Sequence, residues 1–454
     1  MRVVLISTYE IGRQPFGLAS PAAWLRRAGA TVDCQDLSQG PLYEADVIAA
    51  DLVAFYVPMH TATRIAAPVV QRVKALNPTA HLCCYGLYAP MNEAYLRGLG
   101  VDTLLGGEFE TGLVHLVGRL QSAQPQPMTQ PEPLVSLERQ QFLTPDRQGL
   151  PPLDRYARLV LGDELRVVGY TEASRGCKHV CRHCPIVPVY NGRFRIVQRD
   201  VVLQDIRQQV ESGAEHITFG DPDFFNGPGH ALPLVQALQH AFPGLTYDVT
   251  IKIEHLLRYA EHLPTLRDTG CILITSAVEA VQDDILQRLD KGHTCQDFLE
   301  ALALCRSMDI PLNPTFVAFT PWTTLAYYLE LLTVLAEQGL VEHVAPIQLA
   351  MRLLIPAGSK LLELADIHAV IEGFDDSALI YRWRHADLRV DRLCDDVLQL
   401  VQSGEAEGAE RRDLFTRLWA AAHQAAGRII PPVPQAMVVT PRGPIPYLNE
   451  PWYC

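Results

Sequence analysis

From residue 2 to about residue 371, short β-branched runs alternate with amphipathic segments, and this alternation constrains the fold most. It is the pattern of βαβ units laid on parallel sheets. "RVVLIST", "TVDCQDL", "ADLVAFYVPM", "HLCCYG" and "VDTLLGG" read as strands. "LASPAAWLRRAGA", "IAAPVVQRVKALNP" and "EFETGLVHLVGRLQ" read as the helices that accompany them. Residues 1–120 are therefore expected to form an α/β domain on a parallel sheet. Open sheets of this kind bind ligands at the carboxyl ends of their strands. No G-x-G-x-x-G follows the first strand, which argues against a dinucleotide.

The rhythm breaks over residues 121–165, where "QSAQPQPMTQPEPLV" has the Pro- and Gln-rich composition of a linker. It resumes at 166, with strands expected at "RVVGYTEASRG", "HITFGDPDFF", "TYDVTIKI", "ILITSAVE", "LNPTFVAFT" and "APIQLAMRLLI". Six such units over 166–371 suit a partial, open β/α barrel. Residues 372–454 read as a helical region with a Pro-rich tail. At 454 residues the chain is too long for one ordinary core.

The net charge of −13 argues against nucleic acid, whose phosphates demand a basic surface. No apolar run approaches the ~18–20 residues needed to span a bilayer. "MRVVLISTYE" lacks a signal-peptide layout, so a reduced, cytoplasmic setting is expected. In that setting eleven cysteines, an odd number, are expected as free thiols and metal ligands rather than a disulfide framework.

Three of them stand in "SRGCKHVCRHCPIV": Cys177, Cys181 and Cys184, spaced C-x3-C-x2-C. A structural zinc site normally takes four ligands, often as two separated pairs, and His179 and His183 are too close in sequence to complete a tetrahedron easily. Core cysteines are at odds with the neighbouring Arg175, Lys178, Arg182 and His183. An iron–sulfur cluster, held by thiolates at fixed spacing, accounts for the pattern best. The loop also follows the first barrel strand, where active-site loops belong.

This stretch resembles the radical S-adenosylmethionine superfamily. The resemblance implies a [4Fe-4S] cluster on three cysteines, with one iron left to chelate S-adenosylmethionine. It also implies an electron donor such as flavodoxin or ferredoxin, and a small-molecule substrate. "FGDPDFFN" occupies the place of the family's Gly-Gly-Glu-like motif but departs from it, so Asp221 or Asp223 is the candidate for that role. "TSAVEA" offers Ser276 and Glu279 near the ligand's ribose and methionine. In "TIKIEH", Lys252 and Glu254 are expected on one strand face. "LQRLDKGHT" matches a stretch common in the family, although Lys291 and His293 also read as solvated loop residues. Arg352, in the apolar "MRLLIP", needs a carboxylate partner, from a ligand or from the protein itself.

The amino-terminal part resembles the Rossmann-like, cobalamin-binding-like domain that often precedes such barrels. It lacks the D-x-H-x-x-G whose His ligates cobalt, and the resemblance leaves bound cobalamin open. Glu108 and Glu110 in "GGEFE" are expected to begin a helix. "PIPYLNEPWYC" resembles the end of a group within the superfamily named for a Cys-Cys-Ala-Glu-Pro tail, or the same with selenocysteine second. A selenocysteine codon read as a stop would end the chain at Cys454. Three reactions fit the resemblance: radical initiation on a small molecule, cobalamin-dependent methylation, or 3-amino-3-carboxypropyl transfer to a heteroatom such as arsenic. A ferredoxin-like electron carrier would want a fourth cysteine and no barrel.

Overall fold

The computed structural model describes residues 1–122, 131–436 and 445–450. Five strands, β1 (Arg2–Ser7), β2 (Thr31–Asp36), β3 (Leu52–Tyr56), β4 (His81–Tyr85) and β5 (Thr103–Gly107), run parallel in the order β2-β1-β3-β4-β5. The two-residue period of β1 explains why both faces are covered. Val3 and Leu5 pack with the helices Phe16–Arg27 and Phe109–Gln121, whereas Val4 and Ile6 pack with His60–Leu76 on the opposite face.

The segment 121–165 is not a free linker in its described part. β6 (Val135–Ser136) extends the first sheet beside β5, and β7 (Arg158–Leu161) belongs to the second sheet. Between them Arg147 forms a buried ion pair with Asp205, 2.8 Å apart, and donates to the Tyr170 carbonyl and to Gln14. Pro and Gln content signalled a loop there, but not what the loop would bind to.

The second sheet carries the parallel strands β8 (Glu164–Thr171), β11 (His216–Phe219), β12 (Thr246–Thr250), β13 (Cys271–Glu279) and β14 (Leu312–Phe316). β7 pairs antiparallel with β8 and closes one edge together with β17 (Tyr447–Leu448). A separate ribbon, β9 (Ser174–Gly176) with β10 (Phe194–Ile196), leads into and out of the cysteine loop. The sixth strand expected at 345–355 does not form. A 3-10 turn covers Pro346–Leu349, and a single bridge joins Phe319 to Arg352. "TIKIEH" is corrected as well: β12 ends at Thr250 and Ile253–Arg258 is helical, so Lys252 and Glu254 do not share a strand face.

The carboxy-terminal helices Leu388–Glu407 and Arg411–Ala425 bury Val397, Val401, Leu418 and Trp419 in the same core as the barrel helices. A hairpin of β15 (Ile371–Asp375) and β16 (Ile380–Trp383) reaches the first domain, where His60 Nε2 donates to the Ala378 carbonyl at 2.5 Å. All ten described cysteines are free, as expected for a reduced chain. No helix among the described residues is long and apolar enough to cross a membrane. Cys454 lies outside the described residues, and with it the expectation about the tail's last position.

Candidate active site at the cysteine loop

The loop begins where β9 ends. Gly176 has φ +74°, and a Cβ there would lie 2.5 Å from the Arg193 carbonyl oxygen, so the turn into Cys177 requires glycine. Asn226, fully buried, accepts the Lys178 N–H at 3.1 Å. The Arg182 N–H donates to the Leu289 carbonyl at 2.9 Å, which ties the loop to the helix Asp283–Leu289. Cys177 and Cys181 are buried and Cys184 is half-buried.

The three sulfurs share one electrostatic environment. Burial pushes the Cys184 thiol up to about 12, and the neighbouring Cys181 and Cys177 sulfurs add to that rise. Two buried lysines oppose it: Lys291 acts on Cys184, and Lys252 lies with Nζ 3.8 Å from Cys181 Sγ. Lys291 and His293 are therefore not solvated loop residues; they are 3% and 7% exposed.

Around this loop the sequence-predicted residues divide. Glu279 ends β13 with φ +75° at a register shift. Its carboxylate lies 3.0 Å from His183 Nε2 and 3.4 Å from Lys291 Nζ. Burial alone would raise its pKa, yet Lys291 and His183 hold it down at about 2. Ser276 is fully buried, and among the described residues its hydroxyl has no hydrogen-bond partner. The His293 ring nitrogens are likewise without a partner in good geometry.

Asp223 faces imidazoles, with Oδ2 at 2.6 Å from His255 Nδ1 and 3.5 Å from His179 Nε2. Burial would raise its pKa, but these two rings hold the carboxyl below the ordinary range. Asp221 accepts from the Ala173 N–H at 2.9 Å and from the Ser174 hydroxyl at 2.5 Å. It holds the strand that launches the loop. Arg352 finds its carboxylate within the chain: Asp391 lies 2.8 Å away, and the guanidinium stacks 3.6 Å over the Trp383 ring.

Glu108 and Glu110 do begin a helix, but that is not their main contact. Both reach across to Arg175, at 3.4 and 2.7 Å, and Glu172 closes on the same guanidinium at 2.6 Å. All four side chains are at least mostly buried. Burial raises Glu108 to about 7 despite Arg175, whereas Arg175 and Ser20 hold Glu110 below its ordinary value against the effect of burial. Sequence reading noted Arg175 only as a loop charge. An arginine inside a strand-to-loop junction beside "GGEFE" was the available signal, and pairing residues 65 apart needed the fold.

The radical SAM superfamily model matches residues 171–324, the span from the end of β8 to the start of the helix after β14. Residues 171–324 form a radical SAM domain. The hopanoid C-3 methylase of Methylococcus capsulatus is 25% identical over 322 residues, covering 68% of this chain and 62% of that protein. This chain thus spans less than two thirds of that relative. A tRNA-2-methylthio-N(6)-dimethylallyladenosine synthase of Chlorobium chlorochromatii is 29% identical over 165 residues, 33% of this chain and 35% of its own. Among solved structures, the cobalamin-dependent S-adenosylmethionine radical enzyme OxsB superposes with TM-score 0.71 at 13% identity, over 93% of this chain and 71% of its own. The methyltransferase TsrM from Kitasatospora setae gives 0.58 at 16%, over 72% and 71%. At these identities the likeness is one of fold.

Radical SAM domains bind a [4Fe-4S] cluster and S-adenosylmethionine. The residues present fit both groups. Burial opposes ionisation of the Cys177 and Cys184 thiols, and bound iron would stabilise such buried sulfurs as thiolates. The buried, unpartnered Ser276 hydroxyl and His293 nitrogens are polar atoms left for a ligand.

Proposed function

We propose that the chain is a radical SAM enzyme that reductively cleaves S-adenosylmethionine to start radical chemistry on a small molecule. The observation that carries this reading is the placement of Cys177, Cys181 and Cys184 together on the loop after the first barrel strand, facing Lys252 and Lys291. When bound, the cluster and S-adenosylmethionine supply an alkyl radical after one-electron reduction, for which a flavodoxin or ferredoxin is the donor class. The protein's part is to hold and orient. Lys252 and Lys291 balance the thiolate charge. Ser276, Glu279 and His293 are the groups assigned to hold S-adenosylmethionine. Asp221 and Asn226 fix the loop from beneath, so both act through position.

A second reading, methyl transfer to carbon, is favoured by the names of the hopanoid methylase and TsrM. The products of S-adenosylmethionine cleavage separate the readings that remain. Anaerobically reconstituted protein is expected to hold about four irons and four sulfides, lost when the three cysteines become alanine. Reduced with dithionite, it is expected to release 5′-deoxyadenosine. 5′-Methylthioadenosine would instead mark aminocarboxypropyl transfer and S-adenosylhomocysteine methyl transfer, and none of the three from cluster-replete protein would overturn the enzyme reading.

A further inference from the structure

Two buried lysines stand beside the cysteine loop, and their partners differ. Lys291 Nζ lies 3.4 Å from Glu279, whose side chain is 10% exposed, so a buried carboxylate answers its charge. Lys252 Nζ instead lies 3.8 Å from Cys181 Sγ, within reach of an N–H···S bond. The carboxylate nearest to it is Glu254, 3.7 Å away and with a side chain 36% exposed. Glu254 also faces His179, at 3.6 Å. Water screens a charge exposed to that extent, so Glu254 cancels little of the ammonium's field at the sulfur.

The fold holds that ammonium in place. β12 ends at Thr250, and the Ile251 N–H donates to the Thr275 carbonyl on β13 at 2.9 Å. The Lys252 carbonyl then accepts the His255 and Leu256 N–H groups at 3.0 and 2.9 Å, at the start of the helix Ile253–Arg258. Gly292 closes over the Lys252–Glu254 pair from another loop. Its φ is +74°, and a Cβ there would lie 2.9 Å from Glu254 Oε2 and 3.9 Å from Lys252 Nζ.

We propose that Lys252 acts through Cys181 on the reducing step: its N–H···S bond and its charge raise the potential at which the cluster accepts one electron. That electron is the one the flavodoxin or ferredoxin donor loses, and one negative charge is added beside the sulfurs. A fixed cation next to a ligand sulfur favours the more negative state, and net charge and hydrogen bonds to sulfur set such potentials. Lys291 contributes less, because Glu279 offsets it. The inference rests on the reading of Cys181 as a cluster ligand and names what tunes it.

Redox titration of the reconstituted full chain, followed by electron paramagnetic resonance without S-adenosylmethionine, tests it. Lys252→Met is expected to shift the midpoint potential to a more negative value, and Lys291→Met to shift it less. An unmoved or more positive potential in Lys252→Met, or a larger shift in Lys291→Met, would overturn the proposal. A second readout needs no variant. In the unaltered chain with isotope-labelled lysine nitrogen, pulsed resonance on the reduced protein is expected to show coupling to a lysine nitrogen, and its absence would refute the contact. Failure of the radical reading looks different: there the unaltered chain takes up no iron, whereas here the cluster is present and its potential does not respond.

Discussion

Asp221 commits both carboxylate oxygens to the backbone and side chain of the strand that carries the cysteine loop. Burial outweighs those bonds and raises its pKa to about 7, and Glu108 reaches a similar value by the same cause. A carboxyl with a raised folded pKa binds its proton more tightly in the folded chain. Its contribution is present at low pH and is lost as pH rises toward the folded value. The melting temperature of the protein is therefore expected to fall between about pH 4 and about pH 7, and that of Asp221→Asn to fall less. An equal slope in the variant would refute the assignment. Glu279 behaves oppositely, its stabilisation being lost only as pH drops from the ordinary carboxylate range toward about 2. Glu279→Gln leaves Lys291 buried beside a neutral group, a loss of ~1–3 kcal/mol. Urea denaturation would register that loss, with cluster absorption intact because no iron ligand changes.

At the scale of elements, the ties between segments decide more than propensity does. Arg147 lies in what composition marks as linker, yet its guanidinium is held by Asp205, the Tyr170 carbonyl and Gln14. Removing it as Arg147→Ala leaves Asp205 buried and unpaired, with an expected cost of ~3–5 kcal/mol by chemical denaturation. By contrast the capping box of Thr294 and Asp297, on the helix Cys295–Ser307, is local. Thr294→Ala is expected to cost ~1 kcal/mol and leave the cluster untouched. The expected sixth strand shows the same rule from the other side. "APIQLAMRLLI" has strand composition, but Arg352 is drawn to Asp391 and Trp383 on the carboxy-terminal elements, and one bridge to Phe319 is what remains of the ladder.

For the molecule as a whole, the two sheets keep separate cores, and Arg175 with its three glutamates joins them. Arg175→Ala leaves three carboxylates buried without their cation, a penalty of several kcal/mol placed at the junction. Differential scanning calorimetry is expected to show one transition for the unaltered chain and two for the variant. A single transition in both would mean that the ion cluster does not couple the domains.

The alternation of β-branched and amphipathic segments determined both parallel sheets, because a strand's covered faces and a helix's apolar stripe are written at fixed local periods. The spacing of Cys177, Cys181 and Cys184 carried the proposed metal chemistry for the same reason: side chains within eight residues are placed by the loop that carries them. What lay beyond the sequence was the pairing of charges distant along it. Lys252 and Lys291 were legible as candidates but not as buried partners of the sulfurs, and Asp221 was legible as acidic but not as a clamp. Arg175, Glu108 and Glu110 acquired their meaning only when β5 and β9 were brought together. Charge pairing depends on the approach of side chains through space, and no local period records it; the tertiary structure alone decided it.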